Sequence, residues 1–328
     1  MASPVIARIE SPGATNSAAA WTAKDLLDTD TLSLAEIELL LEQARAMKDV
    51  RARQGKLATL RGVTVVTLFY EQSTRTRASF EVAGKLLGAD VVNLTASGSS
   101  VEKGESLVDT VRTLEAIGAD LLIIRHPSSG APYVAARHTR AGVINAGDGT
   151  HAHPTQALLD LFTMRDHLGE LEGRKVAIVG DVLHSRVARS NLWCLLAMGC
   201  NVVLCGPPTL LPRTLSAVTE SGSCTVTDNI GEALRDADIV MALRMQNERQ
   251  EGGLVPSIRS YIRDYQIDSK RIAMASPDVL VMHPGPMNEG VEIAPDVAHG
   301  LGSAIEEQVA NGVAMRMAIL YHMALARS

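Results

Sequence analysis

Cysteine is scarce in this chain, and none of it is arranged as a C-x-x-C pair. The four cysteines all fall between Cys194 and Cys224. Structural zinc sites and thioredoxin-like redox sites often contain such pairs, and disulfide frameworks are typical of short secreted chains. We therefore expect four buried free thiols in a reducing compartment, without a disulfide or a zinc site.

Long apolar runs and an N-terminal signal are also missing. No stretch approaches the ~18 apolar residues that a membrane-spanning helix requires. Residues 1–20 are rich in Ser, Ala, Pro and Gly, without the basic start or the apolar stretch of a signal peptide. We expect a mobile N-terminal tail over residues 1–20 and a soluble, cytoplasmic protein that has no membrane partner.

Excess positive charge is absent as well. The formal net charge is −6 at pH 7, whereas proteins that bind nucleic acids usually present a basic face to the phosphate backbone. We therefore expect no nucleic-acid partner, and any anion-binding site must be local. Apolar residues make up 46% of the chain and charged residues 21%, a balance typical of a soluble globular protein.

What the sequence does contain is an alternation of short apolar strands and amphipathic helices. The capping box Ser33-Leu34-Ala35-Glu36 marks the start of the first helix. Further helices are predicted at about 74–87, 105–117, 153–168, 185–198, 232–237 and 304–326, and strands at 63–69, 91–94, 121–124, 142–146, 175–180, 202–205, 239–243 and 279–282. This alternation predicts an α/β fold built on parallel sheets.

The length of 328 residues exceeds the usual size of a single hydrophobic core. A polar stretch over residues 169–174 separates two series of strands and helices. We therefore predict two tandem, doubly wound parallel-sheet domains with helices on both faces, over residues 21–168 and 169–303. The last helix, about 304–326, could pack on either domain and is a candidate to pack back on the first.

The sharpest local signal is Ser73-Thr74-Arg75-Thr76-Arg77, which follows a predicted strand and opens a predicted helix. Amide donors at a helix start, joined by hydroxyls and two guanidinium groups, suit a phosphate dianion. An ordinary helix cap followed by solvated arginines is the alternative. Open α/β sheets bind ligands at the carboxyl ends of their strands, and this position favours the phosphate site.

A second cluster, from Asn145 to Gly149 and on to His151, His153 and Gln156, again lies between a strand and a helix. His151-x-His153 could bind a metal, but no thiols or paired carboxylates at ligand spacing accompany it. Imidazole and amide groups that hydrogen-bond a small polar substrate are favoured, so we expect no metal and no cofactor.

Polar residues follow four further predicted strands. Their joint placement at strand ends, where ligands bind such sheets, is more informative than any one of them. They are Arg125-His126-Pro127, Gly180-Asp181 with Ser185-Arg186, Arg244-Met245-Gln246, and His283-Pro284-Gly285-Pro286. The small polar segment 97–104, with Ser99, Ser100 and Lys103, is predicted to be a mobile loop.

The two sharpest motifs together resemble those of the aspartate and ornithine carbamoyltransferases, over nearly the whole chain after the tail. Ser73-Thr74-Arg75-Thr76-Arg77 resembles the family's carbamoyl phosphate signature, and His153-Pro154-Thr155-Gln156 resembles its second signature. The resemblance implies that Ser73 to Thr76 bind carbamoyl phosphate, with Ser73, Arg75 and Thr76 on its phosphate. It also implies that Thr76, Arg125 and His153 donate to the carbonyl oxygen, so that these three and Arg75 are catalytic.

The resemblance assigns the remaining residues to the carbamoyl amine and to the second substrate. Gln156 and the backbone carbonyls of Gly285 and Pro286 would hold the amine. Arg186, Arg244 and Gln246 would bind the two carboxylates of aspartate. Lys103, with Ser99 or Ser100, resembles a loop that reaches into the site from a neighbouring subunit, since the family's catalytic unit is a trimer with shared sites.

Three places resemble the aspartate enzymes of the family more than the ornithine enzymes. Gly285-Pro286 stands where ornithine enzymes have a Cys, no Ser-Met-Gly loop is present, and Ser100 to Glu105 reads Ser-x-x-Lys-Gly-Glu. Arg244 and Gln246 also suit a second carboxylate. The resemblance therefore implies transfer of the carbamoyl group of carbamoyl phosphate to L-aspartate, an early step of pyrimidine synthesis.

Three alternatives remain open from the sequence. One is an ornithine carbamoyltransferase or another relative with a different amine substrate. Another is a nucleotide-dependent oxidoreductase, since the strand ending in Gly180-Asp181 resembles a dinucleotide-binding strand, although the further glycines of G-x-G-x-x-G are missing. The third is an inactive assembly subunit. Association of the trimers with regulatory or dihydroorotase-like chains is also left open.

Overall fold

The computed structural model describes residues 20–53, 55–95, 104–218, 222–246 and 257–327. The chain forms two compact units, and each contains one parallel sheet. The first unit extends to Leu159 and resumes at Val309, and the second is Asp160–Gln308. Both boundaries fall inside helices. The domain limits proposed from the sequence, with their boundary near Gly169, stay a prediction.

The described residues contain nine strands and eleven α-helices. The strands are β1 Thr64–Phe69, β2 Asp90–Thr95, β3 Leu121–His126, β4 Gly142–Asp148, β5 Lys175–Val179, β6 Asn201–Cys205, β7 Ser223–Thr227, β8 Ile239–Ala242 and β9 Leu280–Met282. The helices are α1 Leu34–Ala52, α2 Thr74–Leu86, α3 Leu107–Ile117, α4 Ala131–Arg137, α5 Pro154–Leu168, α6 Arg186–Ala197, α7 Ile230–Leu234, α8 Ile258–Tyr265, α9 Ser269–Ile272, α10 Pro295–Ala298 and α11 Ile305–Leu325.

The sheet of the first unit has the strand order β2-β1-β3-β4, and all its pairs are parallel. Apolar side chains of β1, β3 and β4 pack with those of α3 and α4 in one buried cluster, which includes Leu68, Val111 and Ile124. Because the strands are parallel, the segments that follow β1, β3 and β4 all leave the same edge of the sheet.

The sheet of the second unit has the order β7-β6-β5-β8-β9 and is also parallel. Its central strands are apolar and buried on both faces, as parallel strands covered by helices require. Strands β5, β8 and β9 are neighbours. Because they are parallel, the segments that follow them all begin at the same end of the sheet.

The two parallel sheets confirm the predicted α/β fold class. Several elements were not predicted, among them α4, β7 and α8. Helix α4 has only seven residues and begins after Gly130, which provides no side-chain cap. Strand β7 is an edge strand with mixed burial, so its apolar pattern is weak. Helix α3 begins at Leu107, two residues later than predicted, because Ser106 caps it.

All four cysteines are buried and free, as predicted. Burial raises the pKa of the Cys200 and Cys205 thiols to about 12, so both are protonated near neutral pH. Within the described residues, no helix is both long enough and apolar enough to cross a membrane.

Loss of the first helix cap is expected to destabilise the chain. Ser33 Oγ accepts from the Glu36 N–H at 3.3 Å, and the Glu36 carboxylate accepts from the Ser33 N–H at 2.9 Å. Ser33→Ala should cost about 1 kcal/mol and lower the unfolding midpoint by about 2–4 °C. Circular dichroism during heating measures this shift. Ser33→Thr keeps the hydroxyl, which also donates to the Glu36 carboxylate at 2.7 Å, and should stay near wild type. Equal losses in both variants would contradict the assignment.

Candidate functional site

The first candidate segment connects β1 to α2. Ser73 is the cap of α2, and its Oγ accepts from the Thr76 N–H at 3.3 Å. Thr76 is buried, whereas Thr74 and Arg75 are exposed in the first turn. A helix start of this kind has amide donors and a positive dipole end directed outward, and Arg75 adds a full positive charge. The segment is therefore suited to a phosphate.

Arg125 lies beside this segment, near the end of β3. Its Cα is paired with that of Phe69 at the end of β1. The guanidinium donates to the Glu71 carboxylate at 3.0 Å and to the Ala146 carbonyl at 3.3 Å, and the side chain is 11% exposed. Arg125 is therefore held by a carbonyl of β4 and by a carboxylate of the segment that follows β1.

His153 and Gln156 follow β4, on the other side of β3. His153 is buried, and its carbonyl accepts from the N–H groups of Gln156 and Ala157 at the start of α5. The Gln156 side chain is also largely buried. Both residues are thus fixed where the loop enters the helix.

The candidate residues of the first unit therefore occupy the ends of three adjacent strands. The strand order places β3, with Arg125, between β1 and β4. Hydroxyls, amides, guanidinium groups and an imidazole at one sheet edge can bind a dianion and donate to a polarised carbonyl oxygen. Burial lowers the pKa of neighbouring His126, whose Nδ1 accepts from the Ser128 N–H at 2.9 Å.

In the second unit, Arg186 is the first residue of α6. Ser185 caps this helix by accepting from the Ala188 N–H at 3.1 Å. The Arg186 side chain is buried, at 5% exposure. The preceding Asp181, two residues after β5, accepts from the His184 N–H at 3.2 Å and from His184 Nδ1 at 2.9 Å. The hydrogen bonds between Asp181 and His184 therefore stabilise the loop that leads to Arg186.

Arg244 and Gln246 follow β8, and both are partly exposed. Gly285 and Pro286 follow the adjacent strand β9. The two segments are linked, since the Asn288 side chain donates to the Met245 carbonyl at 3.4 Å. The second unit therefore brings its arginine, amide and carbonyl candidates to the ends of the adjacent strands β5, β8 and β9.

Ser99, Ser100 and Lys103 lie outside the described residues, as does the tail up to residue 19. In the part of the chain that the structure describes, no group of three or more His, Cys, Asp or Glu side chains is arranged to hold a metal ion.

The structure adds two residues that the sequence did not single out for a role. Glu71 is the ion-pair partner of Arg125, and the buried carboxylate of Asp148 organises the loop before His153. Position gave a weak signal for both, since Glu71 lies two residues before Ser73 and Asp148 lies inside a Gly-Asp-Gly segment. Their partners depend on strand order, which spacing alone does not reveal.

Two family models match the chain. One, described as the carbamoyl-phosphate-binding domain of aspartate/ornithine carbamoyltransferases, matches residues 24–166. The other, described as the aspartate/ornithine-binding domain of the same proteins, matches residues 172–323. Together they account for both parallel-sheet units.

Individual relatives agree with these models. An aspartate carbamoyltransferase catalytic subunit from Roseiflexus sp. (strain RS-1) is 61% identical over 302 residues, which is 92% of this chain and 95% of the relative. The crystal structure of aspartate transcarbamoylase from Trypanosoma cruzi with N-(phosphonacetyl)-L-aspartic acid gives a TM-score of 0.84 at 33% identity, covering 91% of this chain and 95% of that one. Ornithine carbamoyltransferase from Pyrococcus furiosus gives 0.82 at 30% identity, covering 90% and 95%. The chain belongs to the aspartate/ornithine carbamoyltransferase family.

Proposed function

We propose that the protein is an aspartate carbamoyltransferase, which converts carbamoyl phosphate and L-aspartate to N-carbamoyl-L-aspartate and phosphate. The observation that carries the proposal is the arrangement at one end of the first sheet. Arg125 lies near the end of β3, and Arg75, Thr76 and His153 follow the adjacent strands β1 and β4. The names of the relatives at 54–61% identity support aspartate as the acceptor.

In this proposal the first unit activates the carbamoyl group. Ser73, Thr74, Arg75 and Thr76 bind the phosphate at the start of α2. Thr76, Arg125 and His153 donate hydrogen bonds to the carbonyl oxygen, and Gln156 with the carbonyls of Gly285 and Pro286 holds the amine. Donors fixed before the reaction stabilise the oxyanion that forms when the carbonyl carbon is attacked.

The second substrate needs positive charge for two carboxylates. Arg186, Arg244 and Gln246 of the second unit, together with Lys103, supply guanidinium, amide and ammonium groups of the required kind. The amine of aspartate attacks the carbonyl carbon, the bond to the phosphate oxygen breaks, and the leaving phosphate takes up the amine proton. Carbamoyl phosphate is already activated, so the transfer requires no covalent nucleophile on the protein.

Fold alone does not distinguish aspartate from ornithine, because solved structures of both enzymes resemble this chain. Phosphate release from carbamoyl phosphate by the purified chain should be measured with L-aspartate and L-ornithine in parallel. We expect release with aspartate only. Release with ornithine only would overturn the assignment of Arg244 and Gln246, and no release with either would overturn the proposed activity.

We further propose a cytoplasmic enzyme of pyrimidine synthesis that acts as a homotrimer. The proposed trimer would share its active sites, with Ser99 or Ser100 and Lys103 contributed by a neighbouring subunit. Because each site would then combine residues from two chains, mixing two inactive variants tests this arrangement.

Mixing Lys103→Ala with Arg75→Ala chains should restore activity if sites are shared. Each variant alone should be nearly inactive, but some sites of a mixed trimer combine one intact Lys103 with one intact Arg75. The two variants should be dissociated, mixed and reassembled before phosphate release is assayed. The same treatment of each variant alone is the control, and a mixture no more active than these would argue against a shared site.

A further inference from the structure

The Gly-Asp-Gly segment at the end of β4, residues 147–149, has no direct part in the reaction proposed above. Asp148, the last residue of β4, is fully buried. Four groups donate to its carboxylate: the Gly130 N–H at 2.6 Å, Asn145 Nδ2 at 2.9 Å, the Ala152 N–H at 3.0 Å and His151 Nδ1 at 3.1 Å. An ionised carboxylate can accept all four, since it has about four acceptor positions and no hydrogen of its own.

Asn145 belongs to β4 itself, and the other three donors come from two different loops. Gly130 belongs to the loop after β3, which begins just beyond Arg125, whereas His151 and Ala152 immediately precede His153. The pairing of β3 with β4 is irregular between Ile124 and His126. The Asp148 carboxylate therefore connects the two loops at the point where the regular hydrogen bonding between β3 and β4 ends.

The next residue, Gly149, lets the two loops approach closely. Its φ is +45°, and its N–H donates to the His126 carbonyl at 3.0 Å. A Cβ at this position would lie 2.3 Å from Ser129 Oγ and 2.7 Å from the Ser129 nitrogen. No side chain fits there without displacing the loop after β3.

We propose that Asp148 is a positioning residue, which holds the loop after Arg125 against the loop before His153 and thereby fixes two of the three proposed donors to the carbamoyl oxygen. This inference rests on the proposed function for the roles of Arg125 and His153. The contacts that define it lie wholly within the first unit.

The main test is Asp148→Asn. The amide keeps the shape, but its NH₂ group must face one of the four donors, so at least one of these contacts becomes repulsive. Displacing donors that act on the developing oxyanion should lower kcat by about 10- to 100-fold. The KM for aspartate should change much less, because aspartate binding does not depend on these two loops.

A second variant and a matched control separate positioning from general damage. His151→Phe keeps an aromatic ring but removes one of the four donors to Asp148, together with the contact of His151 Nε2 with the Asp28 carboxylate at 3.2 Å. It should lower kcat in the same direction by a smaller factor. Asp120→Asn is the control. The Asp120 carboxylate accepts from the Thr64 N–H at 2.9 Å, at the opposite edge of the same sheet, and this variant should keep wild-type kcat.

Hydrogen–deuterium exchange gives a readout that is independent of activity. Peptides covering residues 127–134 and 149–157 should exchange faster in Asp148→Asn than in wild type or in Asp120→Asn. Unchanged exchange, or a kcat within threefold of wild type, would overturn the inference. Failure of the proposed function would look different, because wild type itself would release no phosphate. In that case the exchange measurement alone would test whether Asp148 holds the two loops together.

Discussion

Replacing Arg75 with alanine is expected to lower kcat by about 10²–10³ and to raise the KM for carbamoyl phosphate. Arg75 stands in the first turn of α2, two residues after the cap residue Ser73. Negative charge accumulates on the phosphate as its bond to the carbamoyl group breaks, and a guanidinium at the helix start stabilises that charge more than it stabilises the bound substrate.

A matched control is Arg61, which lies before β1, the strand that precedes α2. Arg61 is exposed and precedes β1, whereas Arg75 follows it. Arg61→Ala removes the same charge from the same unit and should leave kcat unchanged. Steady-state phosphate release, with circular dichroism as a check of folding, compares the two variants. A near-normal rate for Arg75→Ala would refute its assignment to the phosphate site.

The architecture could be predicted because its signals are local. The capping box of Ser33 and Glu36 joins side chains three residues apart, so sequence spacing alone reveals it. The strands of both sheet interiors are short apolar runs between polar segments, and their alternation with helices leads to parallel sheets. Helix α4 was missed because its start at Gly130 has no capping side chain.

The candidate site was predictable in its residue types but not in its internal contacts. Arg125 and His153 were identified because both follow predicted strands. The ion pair of Arg125 with Glu71 depends on β1 and β3 being neighbours, and the four donors to Asp148 depend on β3 and β4 being neighbours. Strand order is a property of the folded chain, so sequence spacing does not contain it.

The same dependence explains why the positioning contacts matter. Arg125 lies in β3 and His153 follows β4, and local secondary structure does not set the distance between their loops. A buried carboxylate that accepts from both loops sets it instead, at the energetic cost of burying a charge. Saturating that charge with four donors offsets much of this cost.

Replacing His153 with alanine is the second change with a large expected effect. His153 is buried at the entrance to α5, where an imidazole N–H can donate to the carbonyl oxygen of the carbamoyl group. Loss of one oxyanion donor typically costs ~10²–10³ in turnover. We expect a loss of that size in kcat, with a smaller change in the KM for carbamoyl phosphate, since the donor contributes most once the oxygen becomes negative.

His138→Ala provides the control, because His138 is an exposed histidine at the end of α4 in the same unit. His153→Gln retains a donor group and should recover part of the lost rate if donation is the role of the imidazole. Initial rates of phosphate release and thermal unfolding should be measured for all three variants. If His153→Ala retained kcat within threefold, or if its loss matched a loss of folded protein, oxyanion donation by His153 would be refuted.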